Sequence, residues 1–304
     1  TPTPEATPTP TPGQPASGAT APPRPTRTPL GPVDAPPSTG GTPIPTSALT
    51  PLYERWRSAA PLPNWRNEAA GLLVNGRIYV FGGLGSSGLD VVESYDPETD
   101  TWRWHRPMPE PLHHHTASLV NGKVYVIGGF CCTDGKDYRE KNAVLEYDPQ
   151  TDTWTRKAPM PTARGAHGAA VVDGRIHVIG GALSEKATFD IHEVYDPATD
   201  TWSRAAPLPV ARDHPVVAVV GGQVHVIGGR RLWYRNTTAV HHMYDPATDT
   251  WEERAPLPTP RSNARAVVWQ GRVWVFGGEN LGFTYDDVEV YDPGTDTWEV
   301  APPM

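Results

Sequence analysis

Tyr95-Asp96-Pro97-Glu98-Thr99-Asp100-Thr101-Trp102 decides how this chain folds, because the same pattern returns at Tyr147 to Trp154, Tyr195 to Trp202, Tyr244 to Trp251 and Tyr291 to Trp298. Asp-Pro opens a turn: proline presets the backbone angle at its second position, and aspartate accepts from the amides ahead. The tryptophan then falls on a strand. Upstream of each copy, by 12 to 18 residues, a glycine pair ends an apolar run, at Gly82-Gly83, Gly128-Gly129, Gly180-Gly181, Gly228-Gly229 and Gly277-Gly278. Their spacings are 46, 52, 48 and 49 residues. A proline connector follows the tryptophan, as in Pro107-Met108-Pro109 and Pro207-Leu208-Pro209.

Inside each unit, runs such as Ala169 to Val172 and Arg175 to Ile179 flank Asp173-Gly174, and Asn75-Gly76 and Asn121-Gly122 hold the same place. Those dipeptides suit a two-residue hairpin. With a variable loop, a tyrosine strand and a tryptophan strand, each repeat reads as four short antiparallel strands. A repeat of this length and content is the unit of a β-propeller, in which each small sheet buries its faces against its neighbours.

The glycine pair, the downstream tyrosine and the tryptophan resemble the kelch repeat, over residues 51–304. The resemblance implies an all-β, kelch-type propeller of five or six four-stranded blades around an axial channel. It implies little about activity, since kelch domains include protein-binding modules, sugar-handling enzymes and copper oxidases.

Strand arithmetic leaves blade number open. Tyr53 to Trp56, followed by Pro61-Leu62-Pro63, resembles one more tryptophan strand with its connector, and the last residues, Ala301 to Met304, fall within another connector. A five-bladed ring would have a strand to spare; a six-bladed ring would need three more. An unpaired edge is a template for a second chain, so Tyr53, Trp56 and Trp298 are expected on closure or assembly strands. Head-to-tail docking of this kind yields filaments unless the rotation closes.

Residues 1–50 form a separate segment holding 15 of the 36 prolines and 12 threonines, with no Phe, Trp, Tyr or His. Its composition predicts an extended tail or linker, of the kind common outside the cell as an O-glycosylated stalk. As the chain opens on Thr1 rather than methionine, an upstream segment is expected to have been processed away or to lie outside this numbering. An extracellular or cell-surface location follows as an expectation. Asn236-Thr237-Thr238 fits the N-glycan acceptor pattern.

A net charge of −8 lacks the basic footprint of a nucleic-acid binder. No apolar run reaches the roughly 18 residues of a membrane helix. The expected partners are therefore other copies of the chain, in an oligomer or filament, or alternatively a protein or glycan. The variable loops share one face, and Tyr138, Trp233, Tyr234, Phe283 and Tyr285 lie in them as candidate partner contacts. Cys131 and Cys132 are adjacent, so a vicinal disulfide or two thiols are both open.

His113, His114, His115, His167 and His214 gather where first strands begin, near the expected channel mouth. His115 and His167 match in position, but their counterparts Ala69, Pro215 and Ala264 offer no ligand, and no metal or cofactor is assigned. Arg66, Arg164, Arg212 and Arg261 recur at one place, which points to structural clamping between blades, and the Asp100 series reads as turn residues. Glu68, Asp213 and Glu279 could reach one face, yet no nucleophile elbow or phosphate loop is present. The chain is read as a non-enzymatic interaction protein, with a metal-dependent oxidase or hydrolase as the less favoured alternative.

Overall fold

The computed structural model describes residues 57–304 apart from 86–88, 134–136, 185–186, 232–235 and 281, and excludes the side chains of residues 132–137. Tyr53 and Trp56, and Trp233 and Tyr234, therefore lie outside the described residues, as does the whole 1–50 segment.

Five four-stranded antiparallel sheets follow one another. The first blade comprises Ala70–Val74, Arg77–Phe81, Val92–Asp96 and Thr101–Trp104. The second comprises Thr116–Val120, Lys123–Ile127, Val144–Asp148 and Thr153–Arg156; the third, Gly168–Val172, Arg175–Ile179, His192–Asp196 and Thr201–Arg204. Val216–Val220, Gln223–Ile227, His241–Asp245 and Thr250–Arg254 form the fourth, and Arg265–Trp269, Arg272–Phe276, Val288–Asp292 and Thr297–Ala301 the fifth. This is the expected kelch-type propeller, with five blades. Small hairpins lengthen three variable loops, among them Phe130–Thr133 with Asp137–Glu140.

The inner hairpins turn where the sequence predicts. Asn121 and Gly122 both have left-handed φ, 49° and 76°, which is the two-residue turn whose twist matches its strands. Gly181, at φ 105°, serves closeness instead: a Cβ there would meet the Gly165 carbonyl oxygen at 2.8 Å.

Blades pack face to face through apolar layers. Val74, Tyr79 and Phe81 of the first blade meet Val124, Val126, Leu145 and Tyr147 of the second, all buried. Each blade also latches the connector that enters it. Asp200 Oδ1 accepts from the Ala158 N–H at 2.8 Å and from the Tyr195 hydroxyl at 2.6 Å, while Trp202 Nε1 donates to the Ala158 carbonyl at 3.0 Å. The same latch holds Ala60, Arg106, Ala206 and Ala255. The Asp100 series is thus more than a set of turn residues. Trp298 belongs to it as the outer strand of the fifth blade.

The recurring arginines clamp within blades rather than between them, which corrects the sequence reading. Arg164 Nη1 meets Glu193 Oε2 at 2.5 Å and its other nitrogens donate to the Gly180 and Val178 carbonyls, all in its own unit. The reason is position: the arginine precedes its blade's first strand, and its side chain folds back across the second. Arg66–Glu93 and Arg261–Glu289 repeat the pair. Arg212 faces His242 instead, and burial without a carboxylate lowers its pKa to about 9. The second blade has Leu112 and Leu145 at these two places, both fully buried.

Candidate functional site

Glu68, His114, Ala166, His214 and Asn263 stand at equivalent corners, each two residues past the clamp position, with φ between 50° and 55°. These corners turn the chain from connector into first strand and carry a belt of backbone bonds around the axis. His114 N donates to the Glu68 carbonyl (3.0 Å), Ala166 N to His114 (2.8 Å), His214 N to Ala166 (2.7 Å) and Asn263 N to His214 (3.1 Å). The axial space they line, together with the first strands, measures about 220 Å³.

The belt is broken at one place. Among the described residues no backbone bond joins Asn263 to Glu68; Asn263 Nδ2 donates instead to Glu68 Oε1 at 2.9 Å. A second series breaks there too. Gly83, Gly129, Gly181 and Gly229 N–H groups donate to Leu112, Arg164, Arg212 and Arg261 carbonyls of the following blade, whereas Gly278 has no such acceptor among the described residues.

The faces at this junction are open in part, with Trp274, Val288 and Val290 still buried. Ile78 of the first blade is 41% exposed, while its counterparts Val124, Ile176, Val224 and Val273 are fully buried. On the fifth blade Val267 is 56% and Trp269 39% exposed, although Val74, Val120 and Val172 are buried at the position of Trp269. Among the described residues, the fifth blade's outward cluster, the buried Trp274, Val288 and Val290 with Phe276 and Ala301, is drawn from that blade.

Around the axial mouth, polar side chains converge. His113 Nδ1 and His114 Nδ1 lie 2.6 Å apart, and His114 Nε2 is 3.6 Å from Glu68 Oε2. His214 Nδ1 meets Asp213 Oδ1 at 2.6 Å. Arg230 gathers the expected carboxylates: its Nε donates to Asp213 at 2.9 Å, its Nη1 to Glu279 at 3.0 Å and its Nη2 to His214 Nε2 at 3.3 Å. Burial lowers His113 to about 4 and holds His114 well below the usual imidazole range, with neighbouring His214 and His113 adding to the effect. Both rings are neutral at physiological pH. His115 and His167 are buried in the channel wall, and His167 Nε2 lies 3.1 Å from the Thr116 hydroxyl.

Sequence reading paired His115 with His167 and so missed that Glu68, His114 and His214 offer ligand atoms within 4.8 Å of one another. The available signal was their common offset from Arg66, Leu112 and Arg212. Of the loop aromatics, Tyr138 is exposed and its ring stands edge-on to His113 at 4.9 Å; Phe283 is exposed, and Tyr285 is half-buried with the Arg261 guanidinium 6.0 Å from its centroid. Cys131 is buried on its hairpin, whereas the Cys132 side chain of the expected vicinal pair lies outside the described residues.

The sequence pattern of the KLHDC2/KLHL20/DRC7 Kelch-repeats domain matches residues 50–229 and 161–304. The chain belongs to the kelch-repeat family. Kelch-like protein 35 of Mus musculus is 31% identical over 133 residues, covering 43% of this kelch chain and 21% of that protein. Beta-scruin of Limulus polyphemus is 28% identical over 148 residues, 47% of this chain and 16% of its own length. The chain thus spans about a fifth or less of these relatives. Among solved structures, that of YjhT superposes with a TM-score of 0.71 at 18% identity, covering 82% of this chain and 88% of that one, a likeness of fold alone. No helix among the described residues is long and apolar enough to cross a membrane.

Proposed function

We propose that this kelch propeller is a non-catalytic, self-associating interaction protein whose docking surface is the open junction between its fifth and first blades. The single observation behind this reading is the exposure of Ile78, Val267 and Trp269 where most equivalent residues of sealed junctions are buried and the rest half-buried. Contiguous apolar exposure of this kind favours a protein surface as its cover. The occupant is a second copy: the fifth-blade face of one molecule lies against the first-blade face of the next. That pairing is head to tail, so it propagates into a filament or ring. The Thr/Pro composition of residues 1–50 supports a role as a spacer at the cell surface or outside the cell.

Sedimentation velocity over a range of concentrations tests the reading. The full chain is expected to associate, and Ile78→Glu and Val267→Glu, each checked for folding by circular dichroism, are each expected to give monomers. A chain that stays monomeric throughout, or variants that associate as before, would refute it. Unchanged association after deletion of residues 1–50 would remove the tail from the interface.

A second reading rests on exposed Tyr138 and Phe283 in the variable loops, which suit a protein or glycan ligand. Binding of a glycan array by the chain, lost in Tyr138→Ala or Phe283→Ala while self-association persists, would favour it.

A further inference from the structure

We propose that Glu68, His114 and His214 form a binding site for a divalent transition-metal ion of the zinc class at the axial mouth. The three side chains come from the entrances to the first, second and fourth blades, and their ligand atoms lie within 4.8 Å of one another. Ligands 2.0–2.2 Å from a tetrahedral zinc ion are about 3.3 Å apart, so closure asks for side-chain movement on the order of 1 Å.

Each ligand is gripped by its other polar atom. Asn263 Nδ2 donates to Glu68 Oε1, which leaves Oε2 for the ion. His113 engages His114 Nδ1, which leaves Nε2, the atom already nearest Glu68 Oε2. His214 Nδ1–H donates to Asp213 Oδ1, fixing the tautomer in which Nε2 carries the lone pair. A carboxylate behind an imidazole, and a hydrogen bond behind a ligating carboxylate, are the usual outer partners of a metal site. None of the other corners has this arrangement: Ala166 presents only a methyl group, leaving space for water or another exogenous ligand in a fourth position.

The charges agree. Glu68, Asp213 and Glu279 bring three carboxylates to this cluster against two guanidinium groups, those of Arg230 and of Arg265, which reaches Asn263 Oδ1. Arg230 is also the local competitor, since its Nη2 donates to His214 Nε2 at 3.3 Å, a long bond that an incoming ion must displace. This gives the site a property that a chance group of surface histidines lacks: losing a cation from the protein should tighten binding of another.

The test uses the full chain, Zn²⁺ in competition with a chromophoric chelator, and Co²⁺ as an optical probe. Wild type is expected to take up one Zn²⁺ per chain and to develop visible Co²⁺ absorption. His114→Ala, His214→Ala and the conservative Glu68→Gln should each weaken Zn²⁺ at least tenfold, the scale of disturbing such a site. Arg230→Gln should strengthen it several-fold. Near-ultraviolet circular dichroism establishes that each variant keeps its fold. No stoichiometric uptake by wild type, equal affinity in wild type and the ligand variants, or weaker binding in folded Arg230→Gln would each overturn the proposal. The measurement does not depend on association state, so it stands or falls separately from the open-junction reading.

Discussion

Phe81 of the first blade lies edge-on beneath Tyr147 and Trp154 of the second, and no part of it reaches solvent. Phe276, its counterpart in the fifth blade, is only half-buried and, among the described residues, packs with Trp274, Val288 and Val290 of its own blade. The two residues sit in near-identical sequence. Among the described residues, what separates them is the sheet laid on the first blade, whose Tyr147 and Trp154 cover Phe81.

Truncating both rings tests this difference between the two blades. Phe81→Ala should cost about 4 kcal/mol in urea unfolding, the range for a fully buried aromatic, while Phe276→Ala should cost about 1 kcal/mol. Equal losses would mean that the fifth blade is covered in solution. Within a sealed blade, Arg164→Met should cost about 3 kcal/mol by stranding the Glu193 carboxylate. Changing both residues to leucine, as at Leu112 and Leu145 in the second blade, should restore most of that. If the double variant is no better than the single, the leucine pair is not an equivalent solution.

Two sealed junctions should also respond to acid. His192 Nδ1 donates to the Ala206 carbonyl, so its Nε2 accepts from His177 Nδ1 at 2.9 Å; His241 and His225 repeat this beside Tyr291. Burial lowers His177, His192 and His225 to about 4 and His241 to about 3. Below pH 6.5 the unfolded chain takes up protons that the fold refuses. Stability is therefore full above pH 6.5 and falls as pH drops toward 4, by up to about 1.4 kcal/mol per imidazole per pH unit. His177→Tyr with His192→Val, the pair found at Tyr79 and Val92, should flatten that slope in chemical unfolding measured at pH 7 and 5. The smallest effect belongs to the open side: Val267→Thr should change the unfolding midpoint of the monomer by less than about 0.5 kcal/mol.

The propeller was legible because glycine pairs and Asp-Pro turns punctuate the chain at places where only a few backbone conformations fit. Gly181 and Asp173-Gly174 carry that information locally. Partners across blades were harder to read. Asp100 looks like any turn aspartate until Ala60, 40 residues earlier, arrives at its carboxylate. The arginine clamp was visible as a repeat, but its direction depended on which way a long side chain folds. Glu68, His114 and His214 escaped because left-handed corners swing their side chains to the axis, and periodicity does not encode an approach between three separate units. Blade number was equally hidden, since every unit looks prepared for a successor.

That last point follows from the aspartate–tryptophan latch. At its outer edge each sheet grips the peptide handed to it by its predecessor, through two hydrogen bonds that are blind to everything farther round the ring. The grammar is thus pairwise, so duplication or loss of a whole unit in a gene would leave every remaining handshake intact. The size of the circle becomes a question of which final partner, covalent or foreign, completes the round.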